Sequence, residues 1–248
     1  MGTSKSYKAT VTGQPQWGNL SSSVTKSCVG TTVPDNNLKN ILSKFTNVIG
    51  GSKKAGRANS KIAGRGGIRT AQKMGGFLGG FSASGGNLKQ TLESLGLNNL
   101  VGKSAEDIIN NLIEYCSGTS STIDDRAAKE AIRKLMEEMT SGAETFEELE
   151  NKLKASLDKE SLQEIIIKYF GYYILEHLSV MFYEKLVREK GKTECSNLFK
   201  QIKDFIKSRL KEMNKTNPLK DMDWGSNDAV RIIKNILEDV LKVFEDEN

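Results

Sequence analysis

The chain has 248 residues and is poor in everything that interrupts a helix or staples a small fold. It has three prolines, three cysteines and one histidine. Proline in a helix interior removes a backbone donor and clashes with the preceding turn, so its scarcity leaves room for long helices. Cys28, Cys116 and Cys195 are odd in number and far apart. Such a set fits a reducing cytosol better than a disulfide framework. Metal sites need grouped Cys, His or acidic ligands, and no segment has such spacing. The longest apolar stretch, 165–187, is broken by Lys168, Glu176, His177, Glu184 and Lys185. No uncharged apolar run of membrane-spanning length remains. The first residues are polar and lack the apolar centre of a signal peptide. A cytoplasmic protein without a membrane span is the expectation.

What is present is charge, unevenly placed. Of 36 Lys and Arg, 13 lie in residues 1–100, against only two of the 31 acids, Asp35 and Glu93. That half is therefore +11 and the remainder −6, within a net +5. A basic half joined to an acidic half points to an anionic partner or to internal complementarity.

Residues 1–37 are rich in Ser, Thr and Gly, with scattered apolar residues. Such a segment buries too little surface to fold alone and reads as an extended, flexible N-terminal arm. Trp17, near Pro15, is its natural docking anchor. Asp35 caps a short helix through Ile49, with Leu38, Ile41, Leu42, Phe45 and Ile49 on one face, ended by Gly50-Gly51. Residues 38–86 combine this helix with an unusual stretch, since twelve of the 23 glycines fall within 50–86. Lys53, Lys54, Arg57, Lys61, Arg65, Arg69 and Lys73 are interspersed there. Glycine costs about 1 kcal/mol per helical position relative to alanine, so a disordered basic linker is one reading. A helix that packs very closely through small residues is the other. Ile62, Ile68, Phe77, Leu78 and Phe81 favour the helix.

Residues 87–248 read as an α-helical bundle. Ser104 opens a helix with an acid three residues on, and Thr145 does the same with Glu148. Ser161 opens a helix that is apolar on nearly every side, the mark of a bundle centre. Two further amphipathic helices follow, separated by Asn217-Pro218. The fold class is all-α, a multi-helix bundle carrying the N-terminal arm.

No catalytic set assembles from the sequence, and the chain reads as a non-enzyme. His177 lies in the most apolar helix and reads as a packed residue. Glu137-Glu138 and Glu147-Glu148 lie on solvated helical faces. Gly102-Lys103-Ser104 resembles the end of a phosphate-binding loop, but position 97 is Leu and no strand precedes it. Lys53, Lys54, Arg57, Lys61, Arg65 and Arg69 are candidate contacts for an anionic partner. Nucleic acid is one such partner, although no aromatic residue is interleaved among these bases before Phe77 for stacking. The N-terminus is chemically addressable: removal of Met1 leaves a Gly2 amine with a reference pKa near 8. Gly2 to Ser6 also fits the short myristoylation pattern.

Met1-Gly2-Thr3-Ser4-x-Ser6-Tyr7 resembles the start of the QatB family, the B component of the bacterial QatABCD anti-phage system. Pro15-x-Trp17, the Gly/Ala/Arg-rich segment at 50–86 and the run Leu95-Gly96-Leu97 to Glu106 are similar to that family. So is the pattern Cys116…Thr122-Ile123-Asp124. Lys8-Ala9-Thr10 departs from it, where a Gly-Gly-Pro-like turn is expected. The resemblance implies an anti-phage role and a QueC-like partner enzyme of the QatC type. That partner uses ATP and a 7-deazaguanine substrate, while this chain carries no cofactor or metal. Gly2 becomes the implied site of deazaguanine-type modification, with Thr3, Ser4, Lys5, Ser6 and Tyr7 as the grip and Trp17 as an anchor. Other defence-system proteins are further implied partners.

Overall fold

The protein, as a computed structural model, is described at residues 15–216 and 227–245. Eleven α-helices and one 3-10 turn make up the described fold, with no strand among the described residues. In chain order these are α1 (Pro15–Ser27), α2 (Asp35–Val48), α3 (Ser52–Gly56), α4 (Arg65–Ala83) and α5 (Leu88–Ser94). After the turn Asn98–Leu100 follow α6 (Ala105–Ser117), α7 (Ile123–Thr140), α8 (Phe146–Lys159), α9 (Leu162–Lys190), α10 (Lys192–Thr216) and α11 (Asn227–Lys242).

The helix starts follow capping chemistry. At Thr122, Thr145 and Ser161 the hydroxyl accepts from the third helical N–H, and the acid there accepts from the cap N–H. Each box satisfies two backbone donors that the first turn would otherwise leave unpaired. Ser104 Oγ accepts from Asp107 N at 3.1 Å without the reciprocal bond. Asp35 is the first residue of α2 and makes no side-chain cap; Pro34 precedes it. Gly50, Gly51 and Gly191 adopt positive φ at helix ends, where a side chain would be strained.

α9 is the central element. Residues 165–167 and 169–178 are buried without interruption, covering all its faces. α7 and α10 lie along it, α4 wedges among α6, α7, α9 and α11, and α1 pairs with α2. α9 is the one described helix long and apolar enough to cross a membrane, and 72% of its most apolar stretch is buried inside the bundle.

Two sequence expectations are revised. The arm expected over 1–37 is helical at Pro15–Ser27, and Leu20, Val24 and Cys28 are buried. These residues sit at i, i+4 and i+8, a narrow stripe that gains stability only by packing on a neighbour. The segments 38–86 and 87–248 share one continuous core, with α3 packed on α11 and α4 on α7. Within the glycine-rich stretch, α3 and α4 are helical as the close-packing reading expects, and 57–64 form an ordered loop between them, with Ser60 and Ala63 buried, rather than a disordered linker.

Candidate functional site

Gly66 and Gly67 of α4, with Gly64 just before it, bring backbone into close contact with neighbouring elements. A Cβ at Gly67 would lie 2.7 Å from Cζ of Tyr173, and one at Gly66 would lie 3.1 Å from the Asp124 backbone. A Cβ at Gly64, where φ is +110°, would lie 2.3 Å from the Ala55 carbonyl oxygen. The backbone of α4 therefore touches α7 and α9 directly, and its own N–H groups reach buried acceptors.

Those acceptors form a sealed polar cluster. Gly66 N donates to Asp124 Oδ2 at 2.8 Å. Tyr173 Oη donates to Asp124 Oδ1, and His177 Nε2 lies 3.3 Å from the same oxygen. Gly64 N donates to Tyr173 Oη at 2.6 Å, and Tyr169 Oη donates to the Gly67 carbonyl at 3.2 Å. Burial alone would raise the Asp124 carboxyl, but hydrogen bonds from His177, Tyr173 and Gly66 outweigh it and hold the group below its usual range. Burial, reinforced by Asp124, pushes Tyr173 well above the ordinary tyrosine value. His177 is fully buried, and its ring meets Tyr173 edge-on at 4.7 Å. Every polar group of this cluster except His177 Nδ1 faces another, so it locks three helices rather than opening on a substrate.

The neighbouring Asp125 extends the lock. It closes the Thr122 capping box and accepts from Arg69 at 2.8 Å, while Arg69 also donates to the Ser117 carbonyl at 2.9 Å. Desolvation opposes ionisation of Asp125, and bonds from Thr122, Ser121 and Arg69 still lower its pKa.

The candidate basic contacts divide accordingly. Arg69 is committed to the α4–α7 junction. Arg65 Nε donates to the Ala58 carbonyl at 3.0 Å and braces the loop. Lys73 donates to the Tyr115 carbonyl at 2.8 Å and lies over that ring. Lys53, Lys54, Arg57 and Lys61 are exposed, and none has a carboxylate in ion-pair reach among the described residues. They surround α3, whose first turn is tied to α11 by Glu245 accepting from Ser52 N and Oγ at 2.6 and 2.7 Å.

Of the N-terminal set, Gly2, Thr3, Ser4, Lys5, Ser6 and Tyr7 lie outside the described residues. Trp17 is described: it stacks on Phe182 of α9, with ring centroids 5.3 Å apart. The cluster around Asp124 is absent from the sequence expectations. Its only local signals are the paired acids after Thr122 and the tyrosines and histidine one turn apart at 169, 173 and 177. Nothing in the sequence aligns those turns with the glycines of α4.

Comparison with known proteins adds one finding. No curated protein and no solved structure matches the chain. The family model described as "Qat anti-phage system associated protein QatB" matches residues 50–244. That range begins after α2 and takes in the glycine-rich helix, the Asp124 cluster and helices α3 to α11. The chain belongs to the QatB family, and with it to the components of the Qat anti-phage system, in association with the other proteins of that system.

Proposed function

We propose that this chain is the binding partner and protein substrate of a QueC-like enzyme of the QatC type, modified at Gly2. Membership of the QatB family carries the proposal, together with the Met1-to-Tyr7 heptad that resembles the start of that family. The partner's ATP activates a 7-deazaguanine carboxylate. The neutral Gly2 amine attacks the activated carbon, forms an amide, loses a proton and expels the nucleotide. Thr3 to Tyr7 are the residues the enzyme grips, and the helical body is the platform that presents them.

The body supports this division of labour. Its buried titratable groups are engaged with one another and with backbone N–H groups, which suits a rigid scaffold. Trp17 pins α1 to α9. A cytoplasmic location goes with such chemistry, because ATP and the deazaguanine base are supplied there. Capture of the QueC-like enzyme by the full chain, compared with a chain lacking residues 1–10, tests the association. Loss of capture on truncation is expected; undiminished capture together with full phage defence from Gly2→Pro overturns the proposal.

A second reading has its own observation, the unpaired exposed set Lys53, Lys54, Arg57 and Lys61. Four such bases suit phosphate neutralisation. A mobility shift with duplex DNA that weakens steeply with salt, and vanishes on reversing these charges, supports an accessory nucleic-acid role.

A further inference from the structure

A groove of about 330 Å³ opens between the first half of α9 and the second half of α10. Its walls are apolar, formed by Ile167, Leu175, Ile206 and Leu210. Gly171 sets its depth. A Cβ there would lie 2.9 Å from Leu210 Cδ1 and 3.3 Å from Ile206 Cγ2, so the two helices approach closely at this level.

Charge around the groove is sorted. On the α7–α8 side, Glu138 accepts from Tyr172 Oη at 2.5 Å and from Lys168 Nζ at 3.0 Å, and Glu160 accepts from Lys168 at 2.6 Å. Glu164 closes the cap of α9. These carboxylates are already engaged. On the α10 side, Lys203, Lys207 and Lys211 stand one turn apart in a single line. None has a carboxylate in ion-pair reach among the described residues, and Lys203 lies over the Tyr172 ring at 5.4 Å.

We infer that this groove receives an acidic amphipathic helix from a partner protein. Its apolar side chains enter between Leu175 and Leu210, and its carboxylates meet Lys203, Lys207 and Lys211. The lysine line spans eight residues, about 12 Å of helix, which matches carboxylates repeating every turn on a partner helix. A small anion would use one lysine and leave the others unserved. A phosphate backbone would satisfy the lysines but not the apolar walls, and among the described residues no exposed aromatic platform stands beside them for stacking. This surface lies far in sequence from the N-terminal heptad, and the inference stands whether or not Gly2 is modified.

The test uses the full chain and a fluorescent synthetic peptide with leucines on one helical face and glutamates flanking them. A scrambled peptide of the same composition and a single-stranded oligodeoxynucleotide serve as comparisons. Saturable anisotropy with the patterned peptide alone is expected. Reversing Lys203, Lys207 and Lys211 to Glu weakens it by about tenfold or more. The milder triple Lys→Gln variant weakens it less, and keeps the test open should the reversal unfold the chain. Reversal of Lys53, Lys54 and Lys61 leaves it unchanged. Absence of binding, equal binding of the scrambled peptide, or preferential binding of the oligonucleotide overturns the inference.

Discussion

Asp124 shows how much of this protein hangs on one carboxylate. Its two oxygens serve a backbone N–H of α4 and two side chains of α9. Replacing it by Ala strands three buried donors, at an expected cost of about 2–5 kcal/mol in urea unfolding. The sign of its pH dependence follows from its lowered pKa. Its contribution is fully present above the unfolded carboxylate value near 4, and is lost as pH falls through the lower folded value. Unfolding midpoints measured down the acid limb are expected to fall less steeply in Asp124→Asn than in the wild type. Burial also pushes the Cys116 thiol up to about 12 and Cys195 to about 11. Neither is expected to react with iodoacetamide in the native protein at neutral pH; rapid native labelling of Cys116 would contradict its burial. At this scale the sequence is a poor guide. His177 reads correctly as a packed residue, but Asp124 looks like any acid in a first helical turn. Its role depends on glycines 58 and 60 residues away.

At the scale of elements, most of the fold is legible. Leu38, Ile41, Leu42 and Phe45 give α2 its face, and the all-round apolar pattern of 165–187 places α9 at the centre. Capping signals at Thr145 and Ser161 mark true starts. α1 is the exception. Its composition is that of a loop, and Leu20, Val24, the Trp17–Phe182 stack and a bond from Lys44 Nζ to Ser23 Oγ hold it as a helix against α2 and α9. Trp17→Ala is expected to loosen α1, with faster amide exchange across 16–27 and an overall loss of about 1–3 kcal/mol. α4 shows the opposite tension, since its glycines weaken the isolated helix but are required for contact. Gly67→Ala is expected to cost about 1–3 kcal/mol through the clash with Tyr173, although alanine is the better helix former. Thermal denaturation decides between these: a stabilised Gly67→Ala would mean that the approach to Tyr173 is looser than described. Charge reversal at Lys53, Lys54 and Lys61 is expected to leave the melting temperature nearly unchanged, whereas Arg69→Glu lowers it.

For the whole molecule, the charge asymmetry visible in the sequence resolves into two parts. Some of the basic half is spent inside the fold, as Arg69 on Asp125 and Lys73 on Tyr115. Lys53, Lys54, Arg57 and Lys61 stay on the surface at and beside α3. The family and the all-α class are recoverable from the chain alone, because helical periodicity and short residue patterns are local. The single core joining α3 to α11 and α4 to α7 is not, because those pairings depend on contacts between distant segments. Function divides the same way in the proposed reading: the body would serve as the platform, and the chemistry proposed for it rests on the N-terminal heptad. The most direct test is the intact mass of the chain purified after co-expression with the proposed QueC-like enzyme, followed by fragmentation of its N-terminal peptide. The expected result is loss of Met1 and the added mass of an amide-linked 7-deazaguanine base on Gly2, absent from a chain expressed alone. An unmodified Gly2 in an active, defence-competent complex would contradict it.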